Sequence, residues 1–233
     1  MEETLMKTID YHNVSILHED YSVLKDVCFT TEEGEMVYLL GSVGSGKTSL
    51  IKTIYGELPI EDGHARVLGE DMMRIKTSQL PALRRRIGIV HQDLKLLPDR
   101  TIYDNLDFVL RATDWKSKEQ RRTRINELLE WVELADSAQK YPHELSGGQK
   151  QCICICRAIL NSPHLILADE PTGHLDQESG EKVMALLDEI RRKNNCTILL
   201  ATHNLQWPVD FPGTVYECRD AQLIKESQTH NEE

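Results

Sequence analysis

Apolar and polar positions follow two rhythms along this chain. Short apolar runs end at turn or polar residues. MVYLL at 36–40 runs into Gly41, and IGIV at 87–90, LILA at 165–168 and TILLAT at 197–202 have the same character. Such runs predict strands buried on both faces of a parallel sheet. Between them the period lengthens. Ile125, Leu128, Leu129 and Val132 make one apolar helical face, as do Val183, Met184, Leu186, Leu187 and Ile190 among Glu, Lys, Asp and Arg. Strands and helices in alternation predict an α/β fold with helices on both faces of the sheet. Residues 93–160 differ, being mostly helical in pattern and rich in Arg, Glu and Lys. They read as a helical subdomain inserted into a core of 1–92 and 161–233, all within one domain. The polar stretch after Gln222 predicts a frayed end. No internal repeat is present.

Composition narrows the class. With 233 residues, 40% hydrophobic and 28% charged, the chain can bury a sizeable core. No apolar run approaches the ~18 residues that span a bilayer. The first residues, MEETLMKTIDYHN, lack the basic and apolar regions of a signal peptide, so the expected location is the cytosol. A net charge of -11 argues against broad contact with nucleic acid, which needs clustered Lys and Arg. It leaves room for docking to a membrane protein through a local patch. Six cysteines without a secretory signal predict free thiols.

The first chemistry lies just after the run at 36–40. Gly41-Ser42-Val43-Gly44-Ser45-Gly46-Lys47-Thr48 is a P-loop, and SLIKTIYG after it can be a helix. Glycines let the backbone turn sharply and present N–H groups to phosphate oxygens. The helix N-terminus adds a favourable dipole. Lys47 would reach the β- and γ-phosphates, and Thr48 would bind Mg²⁺. The run at 165–168 ends in Asp169 and Glu170, at the end of a parallel strand where α/β sheets bind ligands. Asp169 suits the hydrated metal and Glu170 a general base for the attacking water. Two carboxylates after an apolar strand are weak on their own; the P-loop upstream gives them weight.

Leu145-Ser146-Gly147-Gly148-Gln149 is far more specific. It resembles the signature of ABC ATPases, and the expected companions stand in the family's order. Gln92 follows IGIV as a Q-loop glutamine, Gly173-His174-Leu175-Asp176 resembles a D-loop, and His203 follows TILLAT as a switch histidine. The resemblance covers nearly the whole chain. It implies a P-loop NTPase (RecA-like) core with a mostly parallel sheet, an antiparallel β portion and an inserted helical subdomain. It also implies ATP and Mg²⁺, and a head-to-tail homodimer with ATP between two copies. In that arrangement Ser146, Gly147, Gly148 and Gln149 would bind the nucleotide across the interface, with Ser146 and Gly148 on the γ-phosphate. Gln92 would complete the Mg²⁺ shell, His203 would orient the water with Glu170, and Asp176 would link the two sites. Within the family the segments GEMVYLLGSVGSGKTSLIKTIYGE, RRRIGIVHQDLKLLPDRTIYDNL, HELSGGQ, ILADEPTG and ATHN look most like the cell-division branch, the FtsE type. Those subunits work on the cytoplasmic face of the inner membrane with an FtsX-type membrane protein and control cell-wall hydrolysis. Lipoprotein-release and macrolide-type exporter ATPases share LADEPTG and remain the alternative.

The chain departs from the family at two places. Where relatives stack an aromatic on adenine, this sequence has Leu17 and His18, leaving His18 or Tyr21 for the base. Cys152 stands where relatives carry Arg, and Cys152, Cys154 and Cys156 alternate along a helix. Cys152 and Cys156 share a face and Cys154 points away, a poor ligand geometry, so core packing is the expectation. His91 and His174 read as structural or exposed, and His143, just before the signature, as solvated, with the dimer interface as the alternative. Arg84, Arg85 and Arg86 read as a solvated face, with an anionic headgroup or an acidic loop as the alternative. Residues 96–105 read either as a groove for a permease helix or as ordinary loop packing. Two other functions compete with a membrane-coupled ATPase. A soluble ABC ATPase on DNA or ribosomes would carry basic arms or a long coiled coil. A non-hydrolysing sensor would have lost Glu170 or His203.

Overall fold

The computed structural model describes residues 7–18 and 21–226, apart from the side chain of His18. The first half runs β1 (Lys7–His18), β2 (Tyr21–Glu32), β3 (Met36–Leu40), α1 (Lys47–Ile54), β4 (His64–Val67), β5 (Glu70–Asp71), α2 (Leu80–Arg85) and β6 (Ile87–Val90). The second runs α3 (Ile102–Ala112), α4 (Lys118–Trp131), α5 (Gly147–Ile159), β7 (Leu165–Asp169), α6 (Gln177–Asn194), β8 (Thr197–Thr202), α7 (Trp207–Asp210), β9 (Thr214–Arg219) and β10 (Gln222–Lys225). One sheet is antiparallel, in the order β2-β1-β4-β5. The other has the order β10-β9-β3-β8-β7-β6, parallel throughout except for the β10–β9 pair.

The apolar runs are buried on both faces because strand residues point alternately up and down. Met36, Tyr38 and Leu40 of β3 pack into one core with α3, α4, α5 and α6. Val37 and Leu39, between them, pack into a second core with α1 and the antiparallel sheet. Ile166 and Ala168 divide from Leu165 and Leu167 in the same way on β7. Helices do lie on both faces, but α1 and α2 share theirs with β1, β2 and β4. Burying a side chain such as Leu39 contributes about 2 kcal/mol, which makes the central strands a stiff frame for the loops at their ends.

Two expectations change. Residues 222–225 are not frayed: β10 pairs with β9 from Gln222↔Arg219 to Lys225↔Tyr216, and alternation in QLIK carries it, while residues 227–233 of the same stretch lie outside the described residues. Residues 93–101 are loop rather than helix, and Asn105 organises them. Its buried amide accepts from Leu97 N–H at 2.8 Å and donates to the carbonyls of Leu97 at 3.1 Å and Thr101 at 2.9 Å.

The four helices α3 to α6 start in the same way, whereas α1 and the short helices α2 and α7 have no side-chain cap. Thr101, Ser117, Ser146 and Asp176 cap α3, α4, α5 and α6, each side chain accepting a backbone N–H three residues on. Helix α1 begins at Gly46 with no side-chain cap. At its far end α5 is closed by Arg124 of α4, which donates to the carbonyls of Leu160 at 3.1 Å and Ile159 at 2.9 Å.

Candidate functional site

The loop from β3 into α1 turns on glycines. Gly41, Gly44 and Gly46 have φ of 147°, 83° and 103°, a region that side chains resist. Space is short as well: a Cβ on Gly41 would sit 2.7 Å from the carbonyl oxygen of Cys218, and one on Gly46 would sit 2.8 Å from Val23 Cγ1. The first N–H groups of α1 are left facing the cleft. Lys47 is buried, and its ammonium donates to the carbonyls of Gly41 at 2.6 Å and Ser42 at 2.9 Å.

Strand β7 brings its carboxylates to the same place. Thr48 Oγ1 donates to Asp169 Oδ2 at 2.7 Å, joining the first turn of α1 to the end of β7. Burial pushes the Asp169 carboxyl above its ordinary value; the Glu170 charge beside it adds to the rise and the Thr48 bond opposes it. Glu170 holds a left-handed φ of 48°, fixed by its N–H donating to the Ala201 carbonyl of β8 at 2.9 Å. Its Oε1 lies 3.0 Å from His203 Nδ1, and its buried Oε2 has no protein partner among the described residues. A cleft of about 410 Å³ is lined by these residues with Val43, Gly44, Ser45, Ser49, Gln92 and Gly173.

Tyr21 and Val23 of β2 form the outer wall of the cleft, and the Tyr21 ring is 77% exposed. Tyr21 was one of two aromatic candidates for a base. The side chain of the other, His18, lies outside the described residues. Val23 had no signal in the sequence, since only the fold of β2 against the P-loop brings it there.

The signature residues lie elsewhere. Ser146 caps α5 in a reciprocal pair: Gln149 N–H donates to Ser146 Oγ at 3.3 Å, and Ser146 N–H donates to Gln149 Oε1 at 3.0 Å. Used as an acceptor, the Ser146 hydroxyl still has its proton to donate. A Cβ on Gly148 would come within 3.2 Å of Ser179 Oγ, so this glycine also seats α5 against the start of α6. Asp176 caps α6 by accepting from Ser179 N–H and Oγ–H, each at 2.9 Å. None of 146–149 lines the phosphate cleft of its own chain.

Other candidates resolve locally. Cys156 lies in the larger core with Cys152 packed against it, and burial raises both thiols. No group of three or more His, Cys, Asp or Glu among the described residues is arranged for a metal. The three arginines keep much of their side chains in solvent, and each also finds a partner: Arg84 donates to the Tyr55 and Gly56 carbonyls, Arg85 pairs with Asp114 at 3.1 Å, and Arg86 donates to the Leu68 carbonyl. His143 stacks on Tyr141, with ring centres 5.8 Å apart, and His174 is exposed. His91 is half-buried, and its pKa is lowered by burial and by the nearby charges of Lys95 and Arg157.

The oxygen donors of Thr48 and Asp169, 2.7 Å apart in a crowded acidic corner, suit a hard divalent cation. The ammonium and free N–H groups beside them suit phosphate. Comparison with known proteins agrees with this chemistry. Residues 24–173 match the family model described as ABC transporter. The cell division ATP-binding protein FtsE of Bacillus subtilis (strain 168) is 39% identical over 203 residues, which is 87% of this chain and 88% of that one. The protein of the same name from Escherichia coli (strain K12) is 41% identical over 182 residues, 78% of this chain and 81% of that one. A dimeric ATP-binding cassette solved in a post-hydrolysis state with ADP and Pi superposes with a TM-score of 0.83 at 30% identity, covering 94% of this chain and 98% of the other.

Proposed function

The chain belongs to the ABC transporter family as an ATP-hydrolysing P-loop subunit, and from that premise we propose that it drives a cell-division membrane complex. The observation that carries the hydrolytic reading is one cleft holding Lys47, Thr48, Asp169, Glu170, Gln92 and His203. The uncapped start of α1 and Lys47 receive the phosphates. Thr48 and Asp169, with Gln92, hold Mg²⁺, which when bound neutralises phosphate charge. Glu170 accepts the proton of the attacking water, its free Oε2 serving as the acceptor. His203, on Glu170 Oε1, orients that carboxylate and reaches the γ-phosphate. Tyr21 offers its exposed ring to the base.

Residues 146–149 complete the site of a second copy, so two chains close head to tail on two ATP molecules. Residues 93–160 act as an inserted helical subdomain that moves as the dimer closes and opens. Supporting a membrane partner is the groove of about 350 Å³ between α2, β6, α3 and α5, with Arg84, Arg85 and Val109 on its walls. No helix among the described residues is long and apolar enough to cross a membrane. Similarity to the FtsE proteins favours an FtsX-type protein, a place on the cytoplasmic face of the inner membrane, and control of cell-wall hydrolysis as output. Lipoprotein-release and macrolide-type exporters are the second reading, on the shared segment LADEPTG.

Glu170→Gln should retain ATP binding, lower hydrolysis by at least about a hundredfold and shift the chain to a dimer in ATP on size exclusion. Parental turnover would refute Glu170 as the base. Tyr21→Ala should raise KM for ATP about tenfold with kcat unchanged. The cellular reading is tested by purifying the tagged chain from native membranes and identifying its companion. A division-type membrane protein upholds it, and an exporter permease replaces it.

A further inference from the structure

Gln92 leaves β6 in a tight turn, closed by Leu94 N–H donating to the His91 carbonyl at 3.2 Å. The next two residues, Leu94 and Lys95, have φ of 59° and 50° although neither is glycine. Consecutive left-handed residues with side chains persist only where their surroundings hold them. Here the holding group is a single turn of α5. Arg157 Nη2 donates to the Leu94 carbonyl at 2.7 Å, and Nη1 donates to the Lys95 carbonyl at 2.6 Å. Cys154, three residues earlier on α5, places its thiol 3.2 Å from the same Leu94 oxygen. Burial pushes that thiol up to about 11, so it keeps its proton and donates. Three donors from one helical turn thus meet two successive carbonyls.

We infer that Arg157 is a positioning residue for Gln92: its guanidinium fork holds the left-handed turn that sets the Gln92 side chain in the phosphate cleft. The planar fork matches two neighbouring acceptors in a way a single ammonium cannot. The same helix begins at the signature, about 15 Å away at 1.5 Å per residue. Helix α5 therefore ties the residues offered to a second copy to the residue that senses ATP in its own. The inference rests on the reading of Gln92 as a site residue, and its test separates the two.

Steady-state ATP hydrolysis by the full chain would be compared for Arg157→Ala, Arg157→Lys, Gln92→Ala and the double variant Arg157→Ala/Gln92→Ala, with thermal unfolding of each. Arg157→Ala should lower kcat about tenfold with KM for ATP within about twofold, and Arg157→Lys should recover part of the loss. On the Gln92→Ala background the same change should cost less than about twofold, since nothing remains to be positioned. An equal loss on both backgrounds, or lower thermal stability with unchanged kcat, overturns the proposal. If Gln92→Ala itself leaves kcat unchanged, the reading of Gln92 fails and takes the inference with it. Should Arg157→Ala fail to fold, Arg157→Lys carries the same cycle.

Discussion

The loop after β3 and the loop after β6 leave the same end of the same sheet, and both need left-handed backbone. The first meets the need with Gly41, Gly44 and Gly46. The second meets it with Leu94 and Lys95, held by Arg157 and Cys154 from α5. Glycine adopts this conformation without strain, so the phosphate loop keeps its shape by local preference. A side chain there costs about 1–2 kcal/mol per residue, so the Gln92 loop keeps its shape only while a distant helix grips it. Permanence is wanted where phosphates are held.

Breaking the permanent loop should have the largest effect. In Gly46→Ala a Cβ would meet Val23 Cγ1 at 2.8 Å and Leu24 Cγ at 3.0 Å while φ stays at 103°. Strain and clash together should cost about 3 kcal/mol, seen as a loss of ATP affinity on the order of a hundredfold in equilibrium dialysis. Next is a change that makes the conditional loop resemble the permanent one. Lys95→Gly removes the strain at an exposed position with φ of 50°. It should raise unfolding free energy by up to about 1 kcal/mol in urea titrations and soften the effect of losing Arg157. If Lys95→Gly destabilises the chain instead, the turn is not strained and the comparison collapses. Smallest is Cys154→Ala, which removes one weak donor from Leu94 and leaves the guanidinium in place. Stability should fall by under about 1 kcal/mol, with kcat within about twofold of the parent.

These two loops also divide what could be read from the residues alone. The P-loop, the carboxylates after LILA and the strand runs were legible because each is a local pattern with one physical use. The resemblance named Glu170 and His203 as acting together on the water, and β7 and β8, as neighbours in the sheet, bring them to 3.0 Å. What stayed hidden depends on contacts between residues far apart in the chain. Nothing in IVHQDLK announces that Leu94 turns left-handed, because the reason is a guanidinium 63 residues later. Val23 reaches the cleft only through the fold of β2. Asn105 looked like one more polar residue in a loop, yet its amide meets four backbone groups. The arginines at 84–86 read as one charge run but reach three different partners, because Arg84 and Arg85 are successive residues of α2 and Arg86 lies just past its end. Residues 222–225 were judged by polarity, whereas pairing with β9 makes them a strand.

The uncapped start of α1 has a thermodynamic consequence. Helices α3 to α6 complete their own first turns with side chains, whereas α1 begins at Gly46 and waits for an outside acceptor. A ligand that binds only the folded chain adds RT ln(1 + [L]/Kd) to its stability, about 2.7 kcal/mol at a hundred times Kd. The melting temperature of this protein is therefore coupled to the nucleotide concentration around it. A starved cell would hold a measurably softer molecule than a well-fed one.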